Sequence, residues 1–507
     1  MNDSVRVRFA PSPTGYMHVG GARTALFNFL FARHHNGRFI LRIEDTDRTR
    51  FQPDALQEIF SSLEWLGLEW DEGPGGKGEV GPYVQSERAD LYRRHASQLL
   101  DSGHAYRCFC TPERLESMRR EQEQARLPGA GGYDRHCRAL SSREVKNKLD
   151  AGEPHVVRLK VPDNRLVTFF DEIRGEITTR SDLLDDLVLL KSDGMPTYHL
   201  ANVVDDHYMN ISHVLRGDEW ISSTPRHILL YEAFDWRLPV FAHLPVILSP
   251  EGGKLSKRRG AASVMDYREA GFLPEALLNF LALLGWAPGD DREIMSCREM
   301  IEAFSLERVS AKASVFDRQK LEWMNGQYLA QRDPETLLKP VLDAWEGKGW
   351  ISDINPRIRE YALQVVRLLQ PRSRKILDLI EQAECFFRDP QEYEPKPARK
   401  HFRPEAKPRL QLLLAEMKGL NTFSAAELEN IYRRVADEMD LSAGKLIHPT
   451  RLAVSGVGHG PGLFELMETL GKETVSRRIE KAINWIALAA EDGGVESPQA
   501  GRKGEEQ

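Results

Sequence analysis

Two short segments, far apart in the chain, carry the residue types that nucleotide chemistry requires. The first is Arg8-Phe-Ala-Pro-Ser-Pro-Thr-Gly-Tyr-Met-His18-Val-Gly-Gly21, and the second is Lys254-Leu-Ser-Lys257-Arg258 in a glycine-rich loop. A Gly-Gly pair at the start of a helix lets the backbone approach a phosphate, and the helix N-terminus favours negative charge. Ammonium groups on mobile stems stabilise the charge that spreads during nucleotidyl transfer. Together the segments predict a nucleotide site, with His18 and both lysines near the phosphates.

Each of these segments alone would be a weak signal. A single histidine is most often an ordinary surface or core residue, and a basic loop is most often solvated or a nuclear localisation patch. The second segment is not a P-loop, because Gly253-Lys254 is followed by Leu255 rather than by Ser or Thr. The glycine-rich run 73–78 also lacks that motif and is typical of a plain loop. The joint occurrence of the two segments is what favours a nucleotide site.

A strand, a helix and a second strand must position the first segment. Residues 5–9 alternate between apolar and charged types, which predicts a strand, and the apolar residues from 22 to 30 have helical spacing. Residues 39–43 predict a buried strand, and residues 53–66 predict the next helix. This order indicates a parallel sheet with crossover helices. In such sheets, ligands bind outside the carboxyl ends of the strands.

The pattern changes twice further along the chain. Between about residues 95 and 205, three cysteines, a glycine-rich spot and strand-like runs at 156–161 and 187–191 predict an insertion that splits the sheet. Strand and helix signals return at 213–216, 224–234 and 245–248. Beyond about residue 272 the chain is predicted to be helical, with helices at 274–284, 298–304, 317–329, 358–369, 425–438 and 472–488. The polar tail after residue 490 predicts disorder.

Size, charge and cysteine content limit the classes of protein. A chain of 507 residues is too long for one ordinary domain, and roughly three to five are expected. The net charge of −7 argues against a protein coated with positive charge, although basic patches at 254–259 and 396–409 can still contact nucleic acid. Five cysteines in a long chain indicate a reducing compartment. Because no apolar run suits a signal peptide or a membrane span, we expect a cytoplasmic protein without membrane contact.

Four segments together resemble glutamyl-tRNA synthetase of the bacterial type, a class I aminoacyl-tRNA synthetase. They are the two segments above, Arg42-Ile-Glu-Asp-Thr-Asp47, and Lys191-Ser-Asp-Gly-Met-Pro-Thr-Tyr-His-Leu-Ala-Asn-Val-Val-Asp-Asp206. The resemblance runs from about residue 5 to 490. The chain departs from the general class I pattern at Gly21, where the first signature usually ends in histidine. Bacterial glutamyl enzymes commonly carry this glycine.

The resemblance implies an α/β fold. A Rossmann-like parallel sheet is split by an α+β insertion, and it is followed by a helical stem-contact region and two all-α anticodon-binding domains. The implied division of the chain gives the catalytic domain residues 1–95 and 206–250, the insertion 96–205, the stem-contact region 251–330, the anticodon-binding domains 331–388 and 389–490, and a disordered tail 491–507.

The resemblance also implies roles for individual residues. The catalytic residues would be His18, Lys254 and Lys257. The ATP site would hold His18, Gly20, Gly21, Lys254, Ser256, Lys257 and Arg258. The glutamate site would hold Arg8, Ala10, Ser12, Glu44, Tyr198, Asn202, Arg216 and Trp220. Because glutamate has two carboxylates and one ammonium, Arg8 and Arg216 can each bind a carboxylate bidentately while Glu44 pairs with the ammonium.

The implied reaction is that of a glutamate–tRNA ligase with ATP and Mg²⁺. The α-carboxylate attacks the α-phosphorus of ATP with tRNA present, and the glutamyl group then passes to the 2′-hydroxyl of the terminal adenosine of tRNA(Glu). One alternative is a non-discriminating ligase that also charges tRNA(Gln). Others are a tRNA-modifying paralogue, a small-molecule nucleotidyltransferase and a catalytically silent tRNA-binding protein. A helical C-terminal half and the presence of His18, Lys254 and Lys257 disfavour those three. By resemblance we expect a monomer.

Three residues in the helical half match family positions that contact the anticodon: Arg372, Arg451 and Leu463. An arginine can hydrogen-bond base edges or stack on a splayed base, which suits reading of a single-stranded loop. Arg372 favours selectivity for tRNA(Glu) over tRNA(Gln). Each of the three could equally be an ordinary helix-surface residue.

The insertion contains Cys108-Phe-Cys110, followed by Tyr133 and Cys137. Cys-x-Cys with a later cysteine is suggestive of a structural Zn²⁺ site, which needs four ligands. Many family members have a histidine two places after the third cysteine, where this chain has Ala139. Tyr133 resembles a ligand of a shorter tRNA-modifying relative, and His136 is another candidate for the fourth position. The alternative is three free thiols in a domain that folds without metal.

Overall fold

The strand Arg6–Phe9 pairs in parallel with Arg38–Leu41, in a register that places Arg6 beside Arg38 and Phe9 beside Leu41. Parallel neighbours need a crossover connection, and here the helix Val19–His34 provides it. Most residues of that helix are buried. The computed structural model describes residues 4–47, 50–76, 78–124, 132–255 and 263–491. The opening β–α–β order predicted from the sequence is therefore present.

Contacts within the chain divide it into two units. One comprises residues up to Glu269 together with Pro274–Leu321, and the other comprises Ala270–Leu273 and the residues from Glu322 onward. The strands are Arg6–Phe9, Arg38–Leu41, Ala105–Cys108, Val156–Leu159, Leu166–Asp171, Gly175–Arg180, Val188–Leu190, His213–Gly217, Val240–Leu244, Ile247–Leu248 and Ser314–Val315. The contacts define two units. They do not test the finer division into a split catalytic domain, an insertion, a stem-contact region, two anticodon-binding domains and a tail, which stays a prediction.

Helices make up most of the remaining described chain. Up to residue 303 they are Val19–His34, Pro53–Leu66, Ala89–Asp101, Pro112–Gln124, Ser142–Asp150, Tyr198–Tyr208, Thr224–Ala233, Val264–Glu269, Pro274–Leu283 and Cys297–Ala303. Further on they are Arg318–Gln331, Pro334–Gly347, Pro356–Leu369, Ile376–Gln382, Glu384–Phe387, Pro395–His401, Ala406–Lys418, Ala425–Glu438, Gly444–Ser455, Leu463–Leu470 and Lys472–Glu491. None of the described helices is both long and apolar enough to span a lipid bilayer.

A second set of parallel strands lies beside the first. His213–Gly217 pairs with Val240–Leu244 in a register that places Arg216 beside His243. The amide of Ser212 donates to the carbonyl of Arg6 at 2.9 Å, so this set adjoins the first strand. The carboxyl ends of these strands meet at one edge of the sheet, which is the edge where a ligand site is expected.

A hairpin extends the sheet on its other side. Leu166–Asp171 and Gly175–Arg180 pair antiparallel, and Asp171 lies in parallel register with Phe241. The hairpin and the strand Val240–Leu244 were not predicted from the sequence. The residues Leu166 to Asp171 alternate exposed and buried, so the period-two pattern was available as a signal.

The insertion forms a small sheet of its own. Its strands Ala105–Cys108, Val156–Leu159 and Val188–Leu190 pair antiparallel in that spatial order. The strand-like runs predicted at 156–161 and 187–191 correspond to two of these strands. Two helices, Pro112–Gln124 and Ser142–Asp150, lie between the first and second of these strands in the sequence, which gives the region its α+β character.

The second unit is helical, as predicted. Two of its helices, Pro334–Gly347 and Gly444–Ser455, contain an internal proline, at Pro340 and Pro449. Proline removes a helical hydrogen bond and normally ends a helix, so local pattern did not reveal these two elements. Packing compensates, because Trp345 and Leu452 are fully buried.

Candidate active site

A cavity of about 1120 Å³ opens at the carboxyl ends of the parallel strands. It is lined by every described residue that was assigned to the glutamate and ATP sites: Arg8, Ala10, Ser12, His18, Gly20, Gly21, Glu44, Tyr198, Asn202, Arg216, Trp220 and Lys254. The remaining three assigned residues, Ser256, Lys257 and Arg258, lie outside the described residues. Residues from several strand ends, helices and loops thus meet in one place, although no single stretch of the chain contains them.

The carboxylate of Asp206 holds two guanidinium groups at the base of the cavity. Arg8 donates to it through Nε at 2.9 Å and through Nη2 at 3.1 Å, and Arg42 donates through Nη1 at 2.6 Å. All three side chains are buried. Burial acts to raise the pKa of Asp206, but the two arginines outweigh burial and hold that pKa below its ordinary value. Asp206 therefore stays charged, and Arg8 keeps its Nη1–Nη2 edge for another partner.

Glu44 stands beside this group as a second buried carboxylate. Its Oε1 accepts from Nη2 of Arg42 at 3.1 Å and from Nδ2 of Asn202 at 3.4 Å. Burial raises the pKa of Glu44 despite the neighbouring arginines. A substrate ammonium placed against Glu44 would supply a further positive neighbour and favour the carboxylate form.

Arg216 is buried without a direct anionic partner. Its Nε donates to Nε2 of His243 at 3.1 Å, its Nη2 donates to Oγ1 of Thr224 at 2.8 Å, and its Nη1 donates to the hydroxyl of Tyr198 at 3.1 Å. Among the described residues, no carboxylate lies within 4 Å of this guanidinium. Because Tyr198 accepts from Arg216, its own O–H is available to an acceptor in the cavity.

Two aromatic rings form one wall of the cavity. The rings of Tyr198 and Trp220 lie 4.2 Å apart, centre to centre, with their planes at 30°. The polar groups of this wall are the Tyr198 hydroxyl and the indole N–H of Trp220, and the rest of it is apolar. Ala10 and Ser12 lie in the loop that follows the first strand.

His18 caps the helix Val19–His34 at the mouth of the cavity. Its Nδ1 accepts from the amides of Gly20 and Gly21 at 3.0 and 3.3 Å. A neutral imidazole that accepts at Nδ1 carries its proton on Nε2, which is the form that donates to a phosphate oxygen. A Cβ at position 20 would lie 2.9 Å from the His18 ring, so glycine there allows the ring to fold over the helix end.

The second signature begins beside the same cavity. Lys254 pairs with Glu219 at 3.4 Å, and the amide of Leu255 donates to the carbonyl of Ile247 at 2.9 Å. Where the described chain resumes, Ser263 bridges to His18. Both ends of the intervening segment are therefore anchored next to the first signature.

Several residues in and next to the cavity were not assigned a role from the sequence. Arg42 and Asp206, which contact the cavity residue Arg8 or Glu44, belong to quoted segments, and a charge at the end of an apolar run was the available signal. Arg23 lines the cavity, and it donates to the carbonyls of Leu284, at 2.9 Å, and Pro245. Burial lowers the pKa of Arg23 to about 10.

Two histidines, His227 and His199, extend the hydrogen-bonded contacts of Arg216 away from the cavity. Nη1 of Arg216 lies 3.3 Å from Nδ1 of His227, and Nε2 of His227 lies 3.1 Å from Nδ1 of His199. Burial, followed by the charges of Arg226 and Arg216, lowers the pKa of His199 to about 4. Both imidazoles are therefore neutral near pH 7.

The three anticodon candidates lie together in the second unit. Arg372 donates through Nη1 to the carbonyl of Gly460 at 3.3 Å, and Arg451 donates through Nη1 to the carbonyl of Pro461 at 2.6 Å. Arg372 is exposed, whereas Leu463 is buried at the start of the helix Leu463–Leu470. Arg372 can therefore reach a ligand directly, while the burial of Leu463 suits it to holding the adjacent loop.

The cysteines of the insertion form a compact cluster. The sulfur atoms of Cys108, Cys110 and Cys137 lie within 4.8 Å of one another. The hydroxyl of Tyr133 lies 3.3 Å from the Cys108 sulfur and 3.4 Å from the Cys110 sulfur. His136 is exposed and does not belong to the cluster. Of the two candidates for a fourth ligand, only Tyr133 is in place.

Comparison with known families gives the class of protein. The family described as "tRNA synthetases class I (E and Q), catalytic domain" matches residues 4–323, and "Anticodon binding domain" matches residues 336–483. The predicted fold class is confirmed by these matches. The chain therefore belongs to the class I tRNA synthetases of this family.

Individual relatives show that the chain belongs to the glutamate–tRNA ligases. A glutamate–tRNA ligase of Moorella thermoacetica is 47% identical over 96% of this chain and 99% of its own length. Glutamate–tRNA ligase 1 of Syntrophomonas wolfei is 48% identical over 97% and 98%. A glutamate tRNA ligase of Elizabethkingia meningosepticum, solved in complex with its amino acid, covers 96% of this chain and 100% of its own chain at 40% identity, with a TM-score of 0.88. These relatives give no support to the non-discriminating alternative.

The neutral state of His199 makes the stability of the fold depend on pH. Between the ordinary pKa of 6.5 and the folded pKa of about 4, the unfolded chain takes up a proton that the folded chain does not. The free energy of unfolding should therefore fall as the pH drops through this window, by about 1–2 kcal/mol from this residue near pH 5. Urea unfolding near pH 7.5 and near pH 5 measures the difference.

His199→Asn removes the titrating group, so its loss of stability between the two pH values should be smaller than that of the unmutated chain. His104→Asn, at an exposed position, is the matched control and should keep the original difference. Equal losses in all three proteins would contradict the assignment.

Proposed function

We propose that this chain is a ligase that charges tRNA(Glu) with L-glutamate. An oxygen of the α-carboxylate attacks the α-phosphorus of ATP, pyrophosphate leaves, and glutamyl adenylate forms. The 2′-hydroxyl of the terminal adenosine then attacks the carbonyl carbon, and AMP leaves. Activation requires bound tRNA, and the protein acts as a cytoplasmic monomer. These last points rest on the family resemblance.

The observation that carries the proposal is the pair of buried guanidinium groups in one cavity. Arg8 uses its Nε–Nη2 edge on Asp206, so its outer edge can bind one carboxylate bidentately. Arg216 and the hydroxyl of Tyr198 together can bind the other. Glu44, which lines the same cavity, takes the ammonium. A dicarboxylic amino acid satisfies all of these groups at once.

The same arrangement discriminates against glutamine. A side-chain amide carries no charge to pair with a buried arginine, and a buried unpaired cation is costly. Sites built around a specific buried polar partner reject analogues that lack it. Arg216 is the stronger candidate for the side-chain carboxylate, because no protein carboxylate competes for it in the described chain.

Residues of the two signature segments are proposed to stabilise the negative charge on the phosphates of ATP. Nε2–H of His18, the N-terminus of the helix Val19–His34 and the ammonium of Lys254 line the cavity. Preorganised donors of this kind stabilise the charge on the pentacoordinate phosphorus and on pyrophosphate. Lys257 belongs to the same proposal through the family motif. The family uses ATP with Mg²⁺, and the ion neutralises phosphate charge when it is bound.

Arg216→Gln tests the amino-acid site. Loss of a buried charge–carboxylate contact costs about 2–5 kcal/mol, so kcat/KM for glutamate should fall by roughly 30-fold or more. The KM for ATP should stay within about twofold. The measurement is charging of tRNA(Glu) with labelled glutamate over a range of glutamate and ATP concentrations.

Arg226→Gln provides the matched control, because Arg226 pairs with Asp185 at 3.3 Å and does not line the cavity. It should keep near-normal glutamate kinetics. If Arg216→Gln charges glutamate as well as Arg226→Gln does, the proposed amino-acid site is wrong.

Selection of the tRNA is proposed to involve Arg372, which is exposed beside the Gly460–Pro461 loop. A lost base contact costs about 1–3 kcal/mol. Arg372→Gln should therefore lower the preference for tRNA(Glu) over tRNA(Gln) by roughly 5-fold or more. Arg374→Gln, at an exposed position two residues away, is the control. An unchanged ratio of kcat/KM values for the two tRNAs would refute the role of Arg372.

We also propose that Cys108, Cys110, Cys137 and Tyr133 hold a structural Zn²⁺. Tetrahedral Zn²⁺ with thiolates at about 2.3 Å places its sulfurs about 3.8 Å apart, and the sulfurs of Cys110 and Cys137 are 3.5 Å apart. Thiolate ligands also suit this metal. The cluster therefore fits the ion, which would cross-link the strand Ala105–Cys108 to the loop around Cys137.

Elemental analysis of the purified protein should find about one zinc per chain. Cys110→Ser should lose it and lower the thermal unfolding temperature. Cys297→Ser changes a cysteine of the same unit outside the cluster and should retain the metal. An unmutated protein without zinc would end this proposal.

A further inference from the structure

A buried imidazole, that of His243, lies between Arg216 and the carboxylate of Asp171. His243 lies beside Arg216 in the parallel register of their strands, and its Nε2 accepts from Nε of Arg216 at 3.1 Å. On the other side of the ring, Nδ1 lies 2.6 Å from Oδ2 of Asp171. Asp171 and His243 have no solvent exposure, and Arg216 is 5% exposed.

The hydrogen bonds determine where the proton of His243 lies. A guanidinium Nε–H only donates, so Nε2 of His243 must accept and Nδ1 must carry the proton. That proton is donated to Asp171. Burial, which outweighs the attraction of Asp171, lowers the pKa of His243 and keeps the imidazole neutral. The positive charge of Arg216 and the negative charge of Asp171 therefore lie on opposite sides of a neutral ring.

Asp171 is itself fixed by the turn of the hairpin. Its Oδ1 accepts from the amides of Ile173 at 3.1 Å and Arg174 at 3.0 Å. The amide of His243 also donates to this carboxylate, at 3.1 Å to Oδ2. The strand ends and the hairpin turn thus hold the carboxylate in one orientation.

We propose that Asp171 and His243 are positioning residues for Arg216, which they orient through a defined imidazole tautomer while holding its counter-charge one ring away from the cavity. A carboxylate in direct contact with Arg216 would compete with the substrate, as an internal ion pair does. The imidazole fixes the plane of the guanidinium through Nε alone. Thr224 accepts one hydrogen of Nη2, so the second Nη2 hydrogen remains for the carboxylate of an amino acid. This inference rests on the proposed function and assigns a role to the hairpin Leu166–Arg180.

Asp171→Asn tests the tautomer directly. The amides of Ile173 and Arg174 require an acceptor at the Oδ1 position, so the amide nitrogen of Asn must replace Oδ2 and face the ring of His243. The backbone amide of His243 then keeps its contact with Oδ1, at 3.3 Å. The amide nitrogen of Asn donates to Nδ1, and the proton of His243 moves to Nε2, where it meets Nε–H of Arg216. Two donors face each other, and the guanidinium is displaced.

The expected result is a KM for L-glutamate raised roughly 10- to 100-fold, because small misplacements of a binding group have effects of this size. The KM for ATP and the thermal unfolding temperature should stay close to those of the control. Asp186→Asn is that control, since it makes the same change at a fully buried aspartate that binds Tyr106 at 2.8 Å, outside the cavity.

A second substitution separates positioning from general damage. In the Asp171→Asn background, His243→Gln places Oε1 at the same number of bonds from Cα as Nε2, and a carboxamide can present its oxygen to Arg216 without any tautomer. The double variant should recover at least part of the glutamate KM. An Asp171→Asn protein with the glutamate KM of Asp186→Asn overturns the proposal, and so does a double variant with no recovery. Failure of the unmutated protein to charge glutamate would instead overturn the proposed function.

Discussion

The carboxylate of Asp206 is the interaction on which the rest of the site depends. It comes from the helix Tyr198–Tyr208 and binds Arg8 from the first strand and Arg42 from the end of the second. Arg42 in turn holds Glu44. Without Asp206, two buried guanidinium groups would lose their shared anion. Removal of one partner from a buried charge group destabilises the fold far more than replacement of the whole group by apolar side chains. One charge therefore joins three elements and orients two groups, Arg8 and Glu44, that line the cavity.

The two arginines of the cavity are held in different ways, and the difference has a chemical meaning. Arg8 touches its carboxylate directly, whereas Arg216 meets Asp171 only through His243. During activation the α-carboxylate of an amino acid loses its charge as the anhydride forms, but a side-chain carboxylate keeps its charge throughout. An arginine that is already paired within the protein tolerates loss of the charge on the α-carboxylate. An arginine without a direct carboxylate partner suits a side-chain carboxylate that keeps its charge.

The sequence predicted functional residues where they lie together in one short segment. Arg8, His18 and Glu44 could be singled out because each belongs to a short segment of unusual composition. The partnership of Arg8 with Asp206 joins residues 198 positions apart, so no local pattern reports it. The contacts that link Asp171 through His243 to Arg216 could not be predicted from the sequence for the same reason. In addition, the hairpin that contains Asp171 was not predicted. The helices that contain Pro340 and Pro449 were not predicted, because an internal proline normally ends a helix. Tertiary packing stabilises both helices despite the proline.

The central claim is that this cavity selects an amino acid with two carboxylates and transfers it to tRNA. The most direct test offers the unmutated protein tRNA(Glu), ATP and Mg²⁺ with either labelled L-glutamate or labelled L-glutamine, and measures the amino acid esterified to the tRNA. We predict efficient charging with glutamate and essentially none with glutamine. Comparable charging with both amino acids, or charging with neither, would contradict the account.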